Sequence, residues 1–413
     1  MTTVQQDIAS GAAALDRPDT EAKKALAASV AGYAMDGFDL LILGFMLGAI
    51  RADLSLTPAQ GGSLLTWTLI GAVVGGIVFG MLSDYFGRVR VLTWTILLFA
   101  IFTGLCAFAQ GYTDLLIYRT VAGLGLGGEF GIGMALVAEA WPARLRARAC
   151  AYVALGWQGG VLVAALVTPL LLPHIGWRGM FLVGLVPGLV AFAIRWYIGE
   201  PKIFVAHAGR ARGVQPLKLL VKDSATAKVS LGMLILCSVQ NFGYYGVMIW
   251  LPSYLSTRFG FGLTQSALWT AVTICGMAFG IWMFGVFADR VGRRPALLTF
   301  QAGAFVMVLV YSQLTDVNAL LIGGAIMGMF VNGMLGGYGA LLSELYPTEA
   351  RATAENVLFN LGRGVGGFGP VVVGALVVSY SFTVAIALLA TIYLLDIVAT
   401  LALIPEKKGQ PLE

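Results

Sequence analysis

A short polar stretch that occurs twice constrains this chain more than any other feature. The first copy reads Gly80-Met-Leu-Ser-Asp84-Tyr-Phe-Gly87-Arg88-Val-Arg90, and the second reads Gly285-Val-Phe-Ala-Asp289-Arg290-Val-Gly292-Arg293-Arg294. A further set recurs at the same offset of 205 positions: Glu139, Pro142 and Arg146 match Glu344, Pro347 and Arg351. Both copies stand between long apolar runs. Repeats half a chain apart in apolar surroundings indicate an internally duplicated membrane protein.

The composition agrees with a membrane protein and excludes a soluble one. Of the 413 residues, 58% are hydrophobic and 11% are charged, whereas soluble domains carry about 25% charged residues. Apolar runs close to the length of a bilayer-spanning helix recur along the chain. The sequence therefore predicts an all-α polytopic protein with twelve transmembrane helices in two pseudo-symmetric six-helix bundles.

The predicted segments follow the hydropathy, with the longest polar interruption at the centre of the chain. We expect a cytoplasmic N-terminal tail (1–25), a first bundle (26–199), a cytoplasmic linker (200–228), a second bundle (229–404) and a cytoplasmic C-terminal tail (405–413). The predicted spans are 26–50, 60–82, 91–110, 115–140, 150–172, 179–199, 229–256, 264–287, 296–313, 318–343, 355–379 and 382–404.

The basic residues set the predicted orientation. All but six of the 26 lysines and arginines fall on the side that holds both termini and the duplicated loops. The exceptions are Arg51, Arg178 and Arg258 on the other side, and Arg119, Arg195 and Arg363 within or near the end of a span. This bias places both termini in the cytoplasm, in a multi-pass cell-membrane protein of the bacterial inner-membrane kind. The formal charge of +5 therefore reflects topology and not nucleic-acid binding.

The doubled Gly-x-x-x-Asp-x-x-Gly-Arg loop resembles the signature of the major facilitator superfamily, over essentially the whole chain. Asp36-Gly37-Phe38-Asp39 in the first span resembles aromatic acid/proton symporters and sialate-type symporters, a group that includes lactate permeases. Gly127-Gly128-Glu129-Phe130 and Glu139-Ala-Trp-Pro142 are more similar to the sialate-type and metabolite/proton groups. The fourth span departs from the usual aromatic-acid pattern, which leaves the substrate open between these groups.

Three carboxyls are predicted near the middle of the membrane. A helical rise of about 1.5 Å per residue places Asp36 and Glu129 there, and Asp39 is one turn from Asp36. Desolvation and mutual repulsion favour the protonated form of at least one of them. We expect Asp36, Asp39 and Glu129 to carry proton coupling.

A structural role is the alternative for these acids. Asp36 and Asp39 could pair with Arg119 and hold the first half together. At the repeat offset, however, Asp36, Asp39, Arg119 and Glu129 correspond to Asn241, Tyr244, Gly324 and Met334. Charge confined to one half favours function over generic packing. Arg119 is expected either to exchange partners with the acids or to bind an anionic substrate through a bidentate pair.

Polar stripes in the second half offer substrate contacts. Asn356, Asn360 and Arg363 share one face of span eleven, and Arg363 lies near the depth of Asp36. An arginine there suits a carboxylate, or it satisfies backbone carbonyls near a gate. Gln240 and Trp157 are neighbouring candidates on spans seven and five. The predicted substrate-binding set is Arg119, Gln158, Asn241, Tyr244, Tyr245, Asn332, Asn360 and Arg363.

The duplicated loops are expected to gate and not to bind substrate. Asp84 can accept hydrogen bonds from a helix N-terminus or pair with basic residues while the cytoplasmic side is closed. We assign gating to Gly80, Asp84, Gly87, Arg88, Asp289 and Arg293. The cysteines show no metal-like spacing. No metal and no cofactor are expected, because a proton gradient is the energy source.

Together these features predict a proton-coupled symporter that imports a small organic acid anion, an aromatic acid or a hydroxylated monocarboxylate, by alternating access. Its expected partners are the anion, protons and the lipid bilayer, with no nucleic acid, and a monomer suffices for function. Alternatives on the same scaffold are a neutral sugar or polyol symporter, a non-transporting receptor and a multidrug exporter, the last disfavoured because span five lacks the Gly-Pro pattern of exporters. A membrane enzyme is disfavoured because no nucleophile or cofactor motif is present.

Overall fold

The computed structural model describes residues 18–195, 199–200, 204–205, 216–261 and 263–408. These residues are almost entirely helical and contain no β-strand. The helices are α1 (Thr20–Asp53), α2 (Pro58–Phe86), α3 (Arg88–Leu105), α4 (Tyr112–Ala140), α5 (Arg146–Arg195), α6 (Pro216–Leu219), α7 (Ser224–Phe259), α8 (Leu263–Val291), α9 (Arg293–Gln313), α10 (Val317–Gly333), α11 (Leu335–Leu345), α12 (Arg351–Gly366), α13 (Gly369–Ser379), α14 (Phe382–Leu389) and α15 (Ile392–Leu403).

Ten stretches of the described helices are long and apolar enough to cross a membrane. The other two predicted spans, 179–199 and 355–379, coincide with the second part of α5 and with the α12–α13 pair. The second part of α5 overlaps only a shorter apolar stretch, Leu170–Leu185. Helix α12 carries Asn356, Asn360 and Arg363 on a buried face, which lowers its hydropathy. Each predicted span therefore falls on helix, as far as the described residues reach.

The chain reverses direction within α5, at Gly176. This residue has φ 66°, ψ 176°, a backbone conformation that glycine adopts without strain. Before the turn, Gly160 packs so closely on α1 that an added Cβ would lie 1.8 Å from the carbonyl oxygen of Ala34. After the turn, Gly184 packs beside Ile42, also on α1, where an added Cβ would lie 3.4 Å from the Ile42 side chain. The two parts of α5 thus lie along the same helix and form two antiparallel spans.

The sequence duplication extends to the helix packing. In the first half, Gly75 of α2 lies against α4, where an added Cβ would be 1.9 Å from the carbonyl oxygen of Leu124. In the second half, Gly280 of α8 lies against α10, where an added Cβ would be 2.1 Å from the carbonyl oxygen of Met329. These four positions are related by the 205-residue offset. Small residues allow the backbones to approach, which is how helices associate in a membrane.

The observed helix bounds differ slightly from the predicted segments. Helix α1 begins at Thr20, inside the predicted tail, because Asp19 caps it by accepting from the backbone N–H of Ala22 at 2.8 Å. The predicted linker contains the short helix α6, and α7 begins at Ser224. The remainder of the N-terminal tail (1–17), most of the linker (201–203 and 206–215) and residues 409–413 lie outside the described residues.

The duplicated loops lie at one end of the bundle, called here the motif end. In each loop the glycine between the two helices has a left-handed φ, 110° at Gly87 and 112° at Gly292, so a side chain there would be strained. A glutamate then caps the helix that follows: Glu200 accepts from the backbone N–H of Arg88 at 2.7 Å, and Glu406 accepts from that of Arg293 at 3.2 Å. This explains why the loop glycine recurs in both copies.

Candidate functional site

A small cavity of about 20 Å³ lies between the two halves. Its volume is close to that of a single bound water, about 10–15 Å³, so in this conformation the cavity is too small to hold a substrate molecule. The lining residues come from α1, α5, α7, α10, α11 and α12: Tyr33, Trp157, Gln240, Asn241, Tyr244, Tyr245, Asn332, Leu335, Phe359 and Arg363.

Helix breaks flank this cavity. Helix α10 ends at Gly333 and α11 begins at Leu335, so the chain is interrupted beside the lining residues Asn332 and Leu335. Helix α12 ends at Gly366, just beyond Arg363. Discontinuous helices are the usual way in which transporters line a site at mid-membrane depth.

Arg363 is the cation of the cavity. It is 3% exposed, and its guanidinium lies over two aromatic rings, 5.6 Å from the centroid of Trp157 and 5.2 Å from that of Phe359. The side chains of Tyr33 and Tyr244 line the same cavity. No acidic side chain of the described residues forms an ion pair with Arg363, and its Nε atom has no hydrogen-bond partner there. A buried arginine in this state is suited to a carboxylate ligand.

Two amide side chains form a polar part of the cavity wall. The Nε2 of Gln240 donates to the Oδ1 of Asn332 at 2.7 Å, which leaves Gln240 Oε1 and Asn332 Nδ2 without a partner among the described residues. Trp157 Nε1 donates to the hydroxyl of Tyr244 across the two halves at 3.4 Å. The wall can therefore offer one acceptor and one donor to a ligand.

Asp39 and Arg119 form a bidentate ion pair away from the cavity. Arg119 Nη1 donates to Asp39 Oδ1 at 3.0 Å and its Nη2 lies 2.8 Å from Oδ2. Thr103 also donates to Asp39 at 3.2 Å, and Thr68 accepts from Arg119 at 3.4 Å. Both charged side chains are fully buried. In this conformation the pair joins α1 to α4, as the structural alternative predicted for Asp39, and Arg119 does not reach the cavity.

Asp36 and Glu129 are buried beside the cavity but do not line it. They are 1% and 3% exposed. Asp36 is one helical turn from the lining residue Tyr33. Glu129 precedes Phe130, whose ring stacks on the lining residue Phe359 across the two halves with centroids 3.7 Å apart. Each acid is therefore on a helix that contributes to the cavity wall or packs against it.

Five of the eight predicted binding residues line the cavity, and three do not. The lining ones are Asn241, Tyr244, Tyr245, Asn332 and Arg363. Besides Arg119, the two outside are Gln158, which is buried without a hydrogen-bond partner among the described residues, and Asn360. Asn360 instead joins the halves, because its Nδ2 donates to the carbonyl oxygen of Gly127 at 2.9 Å.

The sequence reasoning missed three lining residues, Tyr33, Leu335 and Phe359. Tyr33 and Phe359 could have been found, since each is one helical turn before a residue that was singled out, Asp36 and Arg363 respectively. Leu335 carries no such signal.

At the motif end, Asp84 ties α2 to a helix of the other half. Its carboxylate accepts from the backbone N–H of Thr353 at 2.8 Å and from the hydroxyl of Thr353 at 2.6 Å, and from the N–H of Ala352 at 3.3 Å. It therefore sits at the N-terminus of α12, where the helix dipole favours negative charge. Arg88 pairs with Asp84 at 2.8 Å.

Glu139 completes this arrangement. Its Oε1 lies 3.0 Å from Arg88 of the same half and 2.7 Å from Arg351 of the other half. Asp84, Arg88, Glu139 and Arg351 are all buried and are called here the first quartet. With two acids and two arginines, the quartet is neutral.

The repeat builds a second quartet with the halves exchanged: Asp289, Arg293, Glu344 and Arg146. Asp289 accepts from the backbone N–H groups of Ala147 and Arg148 at the start of α5, at 3.2 and 3.1 Å. Glu344 lies 2.8 Å from Arg293 of its own half and 3.1 Å from Arg146 of the other. All six predicted gating residues therefore lie in or beside contacts that hold the halves together at the motif end. The motif end is closed in this conformation.

Comparisons with known proteins find a family of membrane transporters and individual transport proteins that this chain resembles. The family profile described as Major Facilitator Superfamily matches residues 30–312 and 259–413. A putative metabolite transport protein of Haemophilus influenzae is 68% identical over 94% of this chain and 98% of its own length. A probable 4-methylmuconolactone transporter of Cupriavidus pinatubonensis is 34% identical, over 95% of this chain and 92% of its own. The cis,cis-muconate transport protein of Acinetobacter baylyi is 29% identical, over 91% and 93%.

A solved structure shows the same fold. The proton:xylose symporter XylE bound to 6-bromo-6-deoxy-D-glucose superposes with a TM-score of 0.79, over 96% of this chain and 98% of that one, at 18% sequence identity.

Proposed function

The chain belongs to the major facilitator superfamily of membrane transporters, and from that premise we propose that it imports a small organic acid anion together with protons. Transport would proceed by alternating access around the cavity between the halves. The observation that carries the proposal is Arg363, a buried cation in that cavity without an acidic partner among the described residues.

The buried charge of Arg363 favours an anionic substrate over a neutral one. Leaving a charge buried without its counter-ion is strongly unfavourable, by about 3–5 kcal/mol where one partner of a buried pair is removed. The rings of Trp157 and Phe359 offset part of this through their π faces, but neither supplies a negative charge. An anionic substrate would supply it, with a bidentate geometry that a carboxylate fits. A neutral substrate would leave the cost in place.

The walls favour a planar acid. Tyr33, Trp157 and Phe359 line the cavity with aromatic surface, and Gln240 and Asn332 line the same cavity, each with a side-chain atom that has no hydrogen-bond partner among the described residues. Such a site suits an aromatic or conjugated carboxylate with a second polar group. The names of two relatives, a cis,cis-muconate transport protein and a probable 4-methylmuconolactone transporter, support this class of substrate.

Proton coupling is assigned to the acids of the first half. Arg119 pairs with Asp39, and the buried carboxyls of Asp36 and Glu129 are assigned as the groups that take up and release the proton. Asp36 lies one helical turn from the lining residue Tyr33, so its change of charge would occur close to the cavity wall. A monocarboxylate that enters with protons is no longer opposed by an inside-negative potential.

The remaining features of the proposal follow from topology. The excess of lysine and arginine at the motif end supports assigning that end, with both termini, to the cytoplasm of an inner-membrane protein. The closed motif end then corresponds to a state closed to the cytoplasm. The proton gradient is the energy source, no cofactor is needed, and each chain contains a complete cavity, so a monomer suffices.

A neutral sugar is the second candidate, because the amide atoms of Gln240 and Asn332 that lack partners are also suited to hydroxyl groups. The charge of Arg363 argues against it.

Uptake by proteoliposomes under an imposed inward proton gradient tests the proposal. The panel is lactate, benzoate, 4-hydroxybenzoate, nicotinate, cis,cis-muconate, sialate and a sugar, with wild type, Arg363→Gln and Asp36→Asn. We expect accumulation of one acid, loss of its binding in Arg363→Gln, and in Asp36→Asn loss of accumulation with counterflow exchange retained. Uptake of the sugar alone, unchanged in Arg363→Gln, would refute the organic-anion assignment.

A further inference from the structure

Glu355 is a buried acid at the motif end that the proposed transport cycle does not use. It lies on α12 one turn after Arg351 and is fully buried. The hydroxyl of Ser343 donates to its Oε1, while its Oε2 has no hydrogen-bond partner among the described residues. No arginine or lysine of the described residues forms an ion pair with it. Its surroundings therefore do not compensate a negative charge.

The groups whose charges act on Glu355 come from several helices. Arg351 lies on its own helix, Glu139 on α4 and Arg88 on α3, and the Cys150 thiol faces it from α5. Both arginines already contact Glu139 at 3.0 Å or less. The first quartet is neutral without Glu355, so an ionised Glu355 would leave this buried region with a net negative charge.

Glu355 has no acidic counterpart at the equivalent position of the first half. At the 205-residue offset, the position of Glu355 corresponds to Cys150 in the first half, which is also fully buried. The position beside the second quartet that matches Glu355 is therefore not an acid. At this pair of positions the two halves differ by one carboxyl, and that carboxyl has no basic ion-pair partner among the described residues.

We propose that Glu355 is a proton-binding site of the gate, which holds a proton while the motif end is closed and releases it when the motif end opens. Opening separates the halves, so Arg351 loses Glu139, which belongs to the first half. Glu355 travels with Arg351 on α12, one turn away, where residues four apart can pair. The ionised carboxylate then replaces Glu139 as the partner of Arg351, and water entering the opened crevice takes the proton.

Arg351 keeps one carboxylate partner in both conformations. In the closed state, ionised Glu139 accompanies Arg351 while Glu355 is neutral. In the open state, ionised Glu355 accompanies Arg351, and Arg88 is shared by Asp84 and Glu139 of its own half, whose remaining negative charge faces the water of the opened crevice. One proton leaves for each opening. By linkage, raising the pH at the motif end favours the open conformation by about tenfold per pH unit, over the range in which only the closed state holds the proton.

The test measures the closed-to-open ratio of the full-length protein in nanodiscs, without substrate and without a proton gradient. Spin labels on Phe86→Cys and Val291→Cys, in a background without native cysteines, report the separation of the halves at the motif end. These positions are related by the repeat and are 49% and 41% exposed. We expect the open fraction of wild type to rise with pH, and Glu355→Gln to remain closed without this rise.

Control variants distinguish proton binding by Glu355 from a purely structural role of this residue. Glu355→Asp keeps a carboxyl and should retain the pH dependence. Asp396→Asn removes a different fully buried acid, on α15, and should retain it as well. If Glu355→Gln fails to fold, Glu355→Met removes the charge in an apolar form and should also be closed at every pH.

A pH dependence in Glu355→Gln or Glu355→Met equal to that of wild type would overturn the proposal, as would a wild-type ratio that does not change with pH. Because neither substrate nor gradient is used, this outcome is independent of the transport experiment above.

Discussion

Asp84→Asn should shift the protein towards a conformation that is open at the motif end, and the free energy of this shift can be estimated from the hydrogen bonds that Asp84 makes. The wild-type carboxylate accepts three hydrogen bonds, two from Thr353 at 2.8 and 2.6 Å and one from Ala352 at 3.3 Å, and pairs with Arg88 at 2.8 Å. An asparagine keeps one oxygen but turns an NH2 group towards a donor. Hydrogen bonds to charged groups contribute about 1.5–3 kcal/mol each, so losing two at the lower end costs about 3 kcal/mol.

This loss falls on the closed conformation only, since the bonds cross between the halves. The open-to-closed ratio should therefore rise on the order of 100-fold. Asp289→Asn is the matched control. Its bonds to Ala147 and Arg148 are longer, at 3.2 and 3.1 Å, and its pair with Arg293 measures 3.4 Å. We expect a loss of about 1 kcal/mol there, which corresponds to roughly a fivefold change.

Thiol labelling measures the ratio directly. Cys150 is fully buried against the second half and becomes accessible when the motif end opens. In a variant that lacks the exposed Cys275, the rate of labelling by a membrane-impermeant maleimide is proportional to the open population. Equal rates in wild type and Asp84→Asn, or an effect of Asp289→Asn as large as that of Asp84→Asn, would refute the reasoning.

Three further predictions follow from other contacts. Arg363→Gln should weaken binding of the transported anion by on the order of 10- to 100-fold, since a charged hydrogen bond is worth about 1.5–3 kcal/mol, and calorimetry with the acid identified in the uptake panel checks this; unchanged affinity would place the anion elsewhere. Gly75→Ala and Gly280→Ala should each destabilise the fold by about 1–3 kcal/mol through overpacking, whereas Gly48→Ala, with no atom within 4 Å of an added Cβ, should not; thermal unfolding in detergent distinguishes them, and three equal melting temperatures would contradict the packing. Arg119→Met should destabilise the fold by about 3–5 kcal/mol because it leaves the charge of Asp39 buried without its partner. Thermal unfolding in detergent checks this, and a melting temperature equal to that of wild type would contradict a stabilising role for the pair.

Much of the fold could be predicted from the sequence because its signals are local or periodic. Hydropathy locates helices, and the 205-residue repeat locates the equivalent parts of two halves. The family and the helical fold were confirmed by the comparisons and by the structure. The loop glycine, Gly87 or Gly292, is explained by backbone conformation alone.

Contacts between distant segments were not predictable in the same way. Glu139 and Glu344 are equivalent positions of the repeat, but nothing near Glu139 in the sequence shows that it pairs with Arg351, an arginine of the other half. The sequence offered Asp36 and Asp39 alike as partners of Arg119, without showing that Asp39 contacts both of its Nη atoms. Phe359 and Leu335 line the cavity because their helices face the other half, and an apolar residue carries no mark of which neighbour it faces. Assignment of roles to these residues remains a prediction.

The exchanged quartets have an evolutionary consequence. If the two halves are numbered alike, the same two positions meet across the contact in both directions: Glu139 meets Arg351, and Glu344 meets Arg146. This is the isologous pattern of a two-fold dimer. A single ancestral half that carried one glutamate and one arginine could therefore have closed this end as a homodimer before the gene was duplicated. Arg363, Asp36 and Glu355 have no charged counterpart at the repeat offset, so their chemistry required the fused chain, in which each half could change alone.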